Sequence, residues 1–331
     1  MTYAFTHRQA AHCETGVTSN LLDFYGLAVS EPLVFGIGAG LFFSYLPFIK
    51  VNGAPGLSYR PLPGQIFSRA AKRLRLTIHR RRFRRPEQAM RALDEALAEG
   101  IPVGCQVGVF HLPFFPPAYR FHFNAHNLVC FGKEDGHYLV SDPVMEGVHR
   151  LTPDELARVR FAKGVLAPRG HMYYLAAPSR PIDLPAAVLA GIRQNSRWML
   201  DLPIPLLGVK GIRFLARRMP KWPGKVGERL AALYLGQVVR MQEEIGTGGA
   251  GFRFMYAAFL QEAAQVLQQP ALLELSKEMT EIGDEWREFA LAASRIYKGR
   301  QSQGETYQTV AQRLSHIADR EAAVFLQLRR L

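Results

Sequence analysis

The chain has 331 residues, of which 48% are hydrophobic and 21% are charged. This balance is typical of globular domains and excludes an intrinsically disordered chain, and the length allows two domains. The formal net charge is +13, and no Asp or Glu occurs between Glu31 and Glu87. Residues 69–85, inside that gap, hold nine Lys or Arg. They predict a surface that attracts nucleic acid, an anionic membrane surface or an acidic protein.

The basic run also fits a solvated helix and loop without any partner, because charge patterns alone do not separate the two interpretations. No recognition module for nucleic acid accompanies the run, so we do not predict a nucleic-acid partner. If the run binds an acidic protein, the candidate docking residues are Arg80, Arg81, Arg82, Arg84 and Arg85.

The cysteines and the N-terminal residues predict where the protein works. Three cysteines, an odd number, follow a polar N-terminus that lacks the apolar core of a signal peptide, so we expect reduced thiols in the cytoplasm. The most apolar stretch, 33–49, is shorter than the ~20 residues of a transmembrane span. It predicts buried core, with close backbone packing under the active site at Gly36, Gly38 and Gly40.

In chain order, the first half of the sequence passes from helices to strands. Apolar residues at helical spacing predict a helix over 13–29 and a second one over 86–99. A capping box over Thr152–Glu155 predicts a short helix inserted between strands. Short β-rich runs predict an antiparallel sheet, at 102–110, 126–131, 137–141 and 171–176. This order indicates an α+β domain.

A proline-rich stretch over 177–185 predicts the domain boundary, with a first domain at 1–178 and a second at 186–331. Nearly all of the second domain has helical spacing, which predicts an all-α domain. Its predicted helices are 186–200, 206–218, 225–244, 250–267, 270–298 and 305–329.

Cys13 is the candidate nucleophile. It stands at a predicted helix start, in His12-Cys13-Glu14-Thr15, where unpaired N–H groups and the helix dipole stabilise a thiolate. Cys105 and Cys130 lie instead within apolar strand patterns, as buried structural cysteines usually do.

His126 and Asp142 are the candidate base and its orienting acid. His126 begins one predicted strand and Asp142 follows the next, so the two can meet at one end of a hairpin. An acid that orients an imidazole, which in turn activates a thiol, makes a catalytic triad, and the order Cys, His, Asp is the papain-like one. A strand-end His and a turn Asp without a catalytic role fit the same pattern. His122 is the alternative base.

A glycine-rich segment over 246–251 precedes a predicted helix and could hold an anion such as phosphate. Arg253 and Tyr256, farther along that helix, are then candidate substrate-binding residues. A tight turn between packed helices is the alternative. No Cys or His cluster has the spacing of a zinc site.

Taken together, these motifs resemble the butirosin biosynthesis protein H family. In the first half the matching residues are His12-Cys13-Glu14-Thr15, Ser30-Glu31, Gly36 to Gly40, Tyr45, His122-Phe123-x-x-His126 and Ser141-Asp142-Pro143. In the second half they are Gly246 to Gly249 and Phe252-Arg253-x-x-Tyr256 onwards to Leu260. The resemblance covers most of the chain.

The resemblance implies a papain-like, C39-peptidase-like domain followed by a helical domain, used for acyl transfer rather than proteolysis. In the family's namesake, an aminoacyl group passes from a carrier-protein thioester to an aminoglycoside amine. Carried over, this implies Cys13 as nucleophile, His126 as base and Asp142 as orienting acid. It also implies an acyl carrier protein as partner, phosphopantetheine presented by that partner, a small-molecule amine as acceptor, and no cofactor bound by the chain itself.

Some assignments stay open at this stage. Gln9, four residues before the nucleophile, is a candidate oxyanion donor beside the backbone N–H of Cys13, and Glu31 is a candidate substrate-binding residue. A cysteine peptidase or amidase would use the same triad. A non-catalytic binding protein could keep the fold, and a buried Cys13 unpaired with His126 would favour it. The sequence allows a homo-oligomer and does not name the acyl chain or the acceptor.

Overall fold

The computed structural model describes residues 5–176 and 180–331, and the chain divides into two compact units. The first unit comprises Met1–Val34 with Ala71–Ile182, and the second comprises Phe35–Ala70 with Asp183–Leu331. In chain order the helices are α1 (Cys13–Phe24), α2 (Glu31–Ile37), α3 (Gln65–Arg73), α4 (Pro86–Ala98), α5 (Pro153–Arg160), α6 (Leu184–Leu200), α7 (Gly208–Arg218), α8 (Trp222–Val226), α9 (Glu228–Glu243), α10 (Arg253–Leu267), α11 (Ala271–Tyr297) and α12 (Tyr307–Leu328). The strands are β1 (Ser44–Val51), β2 (Ala54–Ser58), β3 (Ile78–Arg81), β4 (Val103–Val107), β5 (His126–Glu134), β6 (His137–Ser141), β7 (Val148–Leu151) and β8 (Met172–Leu175).

The first unit is built on a six-stranded antiparallel sheet in the order β3-β8-β4-β5-β6-β7. Side chains alternate between the faces of a sheet. Residues such as Cys105 and Val140 pack in a buried core with Leu93 of α4 and Leu156 of α5. Helix α1 packs on β5, β4 and β8, on the face to which residues such as Tyr173 point. The unit is therefore the α+β domain that the sequence predicts.

Local sequence signals explain where these helices begin and end. Pro86 stands at the first turn of α4, where its missing N–H removes no helical hydrogen bond. At α5, the Thr152 hydroxyl accepts from the Glu155 amide and the Glu155 carboxylate accepts from the Thr152 amide, so the predicted capping box is confirmed. Helix α1 ends just before Gly26, whose φ of 73° is easiest for glycine.

The second unit consists, over the described residues, of the β1–β2 hairpin, helices α6 to α12 and adjoining short turns, in addition to parts of α2 and α3. The predicted helical domain is thus confirmed in its class. No described helix is both long enough and apolar enough to cross a membrane.

The predicted domains, 1–178 and 186–331, differ from these units at 35–70, which pack with the helices. The three glycines of that segment do allow close packing. A Cβ at Gly36 would lie 2.1 Å from the Phe259 ring, and one at Gly38 would lie 2.5 Å from Ile66. These contacts lie within the second unit, and the expectation that they lie under the active site stays a prediction. The predicted end of the first domain, at residue 178, lies outside the described residues.

Candidate active site

Cys13 is the first residue of α1, and His12 before it has the extended backbone of an N-cap. The first N–H groups of a helix have no intrahelical acceptor. Because Cys13 is the first residue of α1, these N–H groups lie at the helix end that carries the nucleophile. The Cys13 side chain is 8% exposed, whereas Cys105 and Cys130 are fully buried. Cys13 is therefore the one cysteine in the chain that both starts a helix and keeps some access to solvent.

Glu31 holds the loop before Cys13 in place. Its carboxylate accepts hydrogen bonds from the amides of Ala11 and His12, at 2.9 and 2.8 Å, and from the Thr15 hydroxyl at 2.8 Å. Burial raises the pKa of Glu31, although these three hydrogen bonds oppose the increase. From the sequence, Glu31 is a candidate substrate-binding residue. In the structure its carboxylate is engaged by the nucleophile loop, so we assign it a positioning role instead.

The structure brings the three predicted triad residues together. The His126 ring donates from Nε2 to Asp142 Oδ2 at 2.6 Å, and Cys13 is its other hydrogen-bonding partner. Because Nε2 is taken by Asp142, Nδ1 is the nitrogen that remains for the Cys13 sulfur. His126 is 5% exposed and Asp142 is fully buried. A Cys13 that was buried and unpaired with His126 would have favoured a binding protein, and this pairing removes that argument.

The electrostatics of the triad favour a positively charged imidazole. Burial lowers the pKa of His126, but the charges and hydrogen bonds of Asp142 and Cys13 outweigh burial and raise that pKa to about 10. At neutral pH the ring is thus an imidazolium between a carboxylate and the sulfur. A positive charge beside a sulfur stabilises its thiolate form.

Neighbouring side chains keep His126 in this orientation. The Phe115 ring meets the imidazole edge-on, with the ring centroids 5.4 Å apart and an interplanar angle of 82°. Asn127, the next residue of β5, donates to the Ala125 carbonyl and accepts from the Tyr173 hydroxyl at 3.0 Å. The start of β5 is therefore tied both to its own loop and to strand β8.

Close backbone approach brings the start of α1 to the turn that carries Asp142. The Ala10 amide donates to the Pro143 carbonyl at 2.6 Å. A Cβ at Gly16 would lie 2.6 Å from the Ala10 Cβ and 2.7 Å from the Pro143 Cβ, far inside normal contact. On the same turn, the His7 ring is hydrogen-bonded to Ser141 Oγ at 2.7 Å. Glycine at position 16 is thus what lets the nucleophile and the acid approach one another.

His122 and Gln9 are placed differently from the triad. The His122 side chain is exposed and stacks on Phe110, with the ring centroids 4.1 Å apart, so His126 and not His122 occupies the position of the base. The Gln9 side chain is exposed as well, and its role as an oxyanion donor stays a prediction. The backbone N–H of Cys13 is the donor that the helix start supplies.

Arg253 and Tyr256 are inaccessible to a substrate. Arg253 is fully buried in the second unit, where it forms a two-pronged ion pair with Glu321 at 2.8 and 3.0 Å. Its guanidinium also donates to the Gly251 carbonyl, and the Tyr256 side chain is fully buried too. The prediction that these residues bind substrate is therefore corrected: they support the helical core.

The glycine-rich segment before them is a tight turn. Its Ala250 amide donates to the carboxylate of Glu243 at 3.1 Å, so a side chain of the chain itself takes the place proposed for a bound anion. Four glycines and two other residues of 246–252 have positive φ.

The five candidate docking arginines, Arg80, Arg81, Arg82, Arg84 and Arg85, are all exposed. No described group of three or more His, Cys, Asp or Glu side chains could hold a metal ion.

Several residues that shape the site carried no sequence signal. Gly16 and Phe115 act through contacts with residues distant in sequence, and Tyr173 reaches Asn127 from a strand 46 residues away. The ring of Tyr173 lies where a side chain of Gly104 would be, since a Cβ there would come within 2.4 Å of it. Only the pairing of the strands reveals these contacts.

A cysteine at a helix start, packed on an antiparallel sheet that supplies a histidine and an acid from adjacent strands, defines a papain-like cysteine-enzyme arrangement. Residues 12–143 match the family described as butirosin biosynthesis protein H, N-terminal, and residues 154–328, more than half of the chain, match the domain of unknown function DUF4872. The chain belongs to the DUF4872 family, and the resemblance inferred from its motifs is confirmed by the match of residues 12–143.

Among solved structures, the chain is similar to a crystal structure of a protein described as a C39-like peptidase from Bacillus anthracis. The identity is 12%, the TM-score is 0.38, and the match covers 53% of this chain and 96% of that one. No curated protein sequence matches the chain.

Proposed function

We propose that this protein is a cysteine-dependent acyltransferase. It would move an acyl or aminoacyl group from a carrier-protein thioester, through an acyl-enzyme on Cys13, to the amine of a small molecule in secondary-metabolite biosynthesis. The observation that carries the proposal is the contact of Cys13 with a His126 that Asp142 holds in its charged form. The match of residues 12–143 to a biosynthetic family supports transfer rather than proteolysis.

In the first step, the Cys13 thiolate attacks the carbonyl carbon of the thioester. The negative charge that develops on the carbonyl oxygen is stabilised by N–H groups at the start of α1, including that of Cys13. When the bond to the phosphopantetheine sulfur breaks, the departing thiolate takes the proton from His126. A thioester on Cys13 and a neutral imidazole remain.

In the second step, the acceptor amine attacks the carbonyl carbon of the acyl-enzyme and gives a proton to His126. The bond to Cys13 breaks, an amide is released, and the starting pair of thiolate and imidazolium is restored. Asp142 remains charged throughout, because its part is to orient and stabilise the imidazolium. Water in place of the amine would make the same site a peptidase or amidase.

The donor would be an acyl carrier protein that presents phosphopantetheine, and the chain itself would bind no cofactor. Carrier proteins are acidic, which suits a chain of net charge +13 whose basic run is exposed. The three cysteines are free thiols, which suits work in the reducing cytoplasm.

The test is to incubate the protein with an acyl-loaded carrier protein, with and without a primary amine, and to follow its mass. Without amine, we expect a mass increase equal to the acyl group, located on Cys13 by peptide mapping. Cys13→Ala should not gain this mass, and Cys105→Ala, the matched control, should.

The products with amine present separate the alternatives. An amide supports the transferase, and free acid as the sole product would make the protein a hydrolase. If the chain never acquires the acyl group and neither product forms, the proposal of an enzyme is wrong.

A further inference from the structure

A cavity of about 350 Å³ lies on the first unit between strand β3 and helix α4. It is separate from the triad in its lining, which consists of Arg81, Phe83, Gln88, Arg91, Ala92 and Glu95. Arg81 comes from the end of the edge strand, and Arg91 comes from the helix that covers the sheet. The cavity thus collects two arginines that are ten positions apart in the sequence.

The alternation of side chains along β3 divides the basic run into two groups. Arg80 points to the face of α1, because its charge interacts with Glu14 and with Tyr173. Arg82 is on that same face, where its charge and that of Arg80 add to the effect of burial in lowering the pKa of His171 to about 4. Arg81 lies between them and points to the opposite face, into the cavity.

The two arginines of the cavity are available to a ligand. Arg81 lies over the Phe83 ring, 5.0 Å from its centroid, which holds the guanidinium while leaving its N–H groups free to donate. Neither Arg81 nor Arg91 forms an ion pair with a carboxylate in the part of the chain that the structure describes, although Glu95 lines the same cavity. Both arginines are exposed, and so is Gln88, which also lines the cavity.

The chemistry of the lining indicates the kind of group that fits. Guanidinium groups bind carboxylates and phosphates through paired hydrogen bonds. Two guanidiniums and one carboxylate leave a single surplus positive charge, which suits a monoanion better than a dianion. The Glu95 carboxylate can also accept a hydrogen bond from an N–H beside the bound anion. An acidic side chain presented on a protein surface, with amide groups next to it, has both features.

We infer that this cavity, framed by Arg81 and Arg91, is the docking point for a carboxylate side chain of the acidic carrier protein. The inference rests on the proposed function, since that function supplies the carrier protein as partner. It narrows the docking surface from the whole basic run to one face of β3 and the outer side of α4. Arg80 and Arg82 would then lie outside the docking point.

The experiment measures equilibrium binding, which needs no catalysis. Full-length protein is titrated into an acyl carrier protein labelled with fluorescein at its N-terminus, in apo and holo forms, and the anisotropy is followed. We expect the double variant Arg81→Gln/Arg91→Gln to bind both forms about tenfold more weakly, a loss in the range of contacts between charged groups at interfaces. The matched control, Arg84→Gln/Arg85→Gln, removes the same charge beside the cavity and should weaken binding by about twofold or less.

A second variant guards against loss of folding. Arg81→Lys/Arg91→Lys keeps both charges but not the paired donors, and should lose part of the affinity with unchanged thermal unfolding. Equal weakening by the cavity pair and the control pair would mean diffuse attraction and would overturn the inference. Weakening with the holo form alone would assign the cavity to the phosphodiester of the prosthetic group instead. If the unchanged protein binds neither form, the carrier partner of the proposed function is wrong, whereas binding that the cavity variant keeps in full refutes the cavity alone.

Discussion

Gly16 offers a sharp test of how the site is assembled, through the change Gly16→Ala. The residue is the fourth of α1 and has helical backbone angles, so alanine suits its conformation. The new methyl group would lie 2.6 Å from the Ala10 Cβ and 2.7 Å from the Pro143 Cβ. Both neighbours flank the groups that must meet, because Ala10 leads into Cys13 and Pro143 follows Asp142.

The expected energies can be set against each other. Replacing glycine by alanine inside a helix stabilises by about 0.5–1 kcal/mol. Overpacking opposes this gain by roughly 1–3 kcal/mol. The net loss of unfolding free energy is therefore small, between about zero and 2.5 kcal/mol by these ranges. The neighbours must also move by roughly 1 Å to reach the usual carbon contact of about 3.5–4.0 Å. A misplacement of that size at a catalytic site can lower the rate by up to about 100-fold.

Two measurements follow from this comparison. Denaturant unfolding gives the change in stability, and turnover of a small thioester, together with the alkylation rate of Cys13, gives the change at the site. The matched control is Gly236→Ala, in the middle of α9, where the new Cβ would meet nothing closer than the Tyr297 ring at 3.6 Å. We expect the control to gain about 0.5–1 kcal/mol and to keep its activity.

The reasoning predicts a dissociation between the two properties at position 16: little loss of stability and a fall in turnover on the order of 10- to 100-fold. If Gly16→Ala is as stabilised as the control and turns over at the unchanged rate, close approach at this glycine does not position the triad. A large loss of stability with normal turnover per folded molecule would refute it as well.

The remaining predictions concern the thiol, the imidazole and the helical core. Iodoacetamide should label Cys13 before the two fully buried strand cysteines, as peptide mass spectrometry can show, and faster labelling of either of those would remove the nucleophile assignment. The His126 pKa is raised from 6.5 to about 10, so its contribution to stability is complete below pH 6.5 and is lost as the pH rises toward 10. Asp142→Asn should flatten the pH dependence of unfolding in that window, and an unchanged profile would contradict the ion pair. Arg253→Ala should lower the unfolding free energy by about 3–5 kcal/mol, because it leaves the charge of Glu321 buried and unpaired. The double variant Arg253→Met/Glu321→Leu leaves no unpaired charge, so its loss of unfolding free energy should be much smaller. Equal losses in a denaturant titration would argue against the buried ion pair.

Much of the fold could be predicted because its signals are local. The capping box of α5, the proline at the start of α4 and the helical spacing of the second half act within one or two turns of their own helix. The strands β3 and β7 escaped prediction because each has four residues and is largely polar, so neither shows the apolar alternation of a buried strand. The placement of 35–70 in the second unit depends on contacts such as Gly36 against Phe259, which no local pattern indicates.

The sequence by itself narrowed the candidate triad to Cys13, Asp142 and one of two histidines, since a cysteine at a helix start and a His and an Asp at one end of a hairpin follow from element boundaries. Only the tertiary structure decided that His126 rather than His122 takes the place of the base, because the two differ in which long-range partners they meet. The structure also shows that the Glu31 carboxylate, a candidate for binding substrate, instead holds the loop before the nucleophile. Arg253 is buried in an ion pair with Glu321. The role of a buried polar side chain depends on which groups satisfy its hydrogen bonds and its charge. For Glu31 and Arg253 those groups include the His12 amide and the Glu321 carboxylate, 19 and 68 residues away along the chain, so no local pattern indicates them.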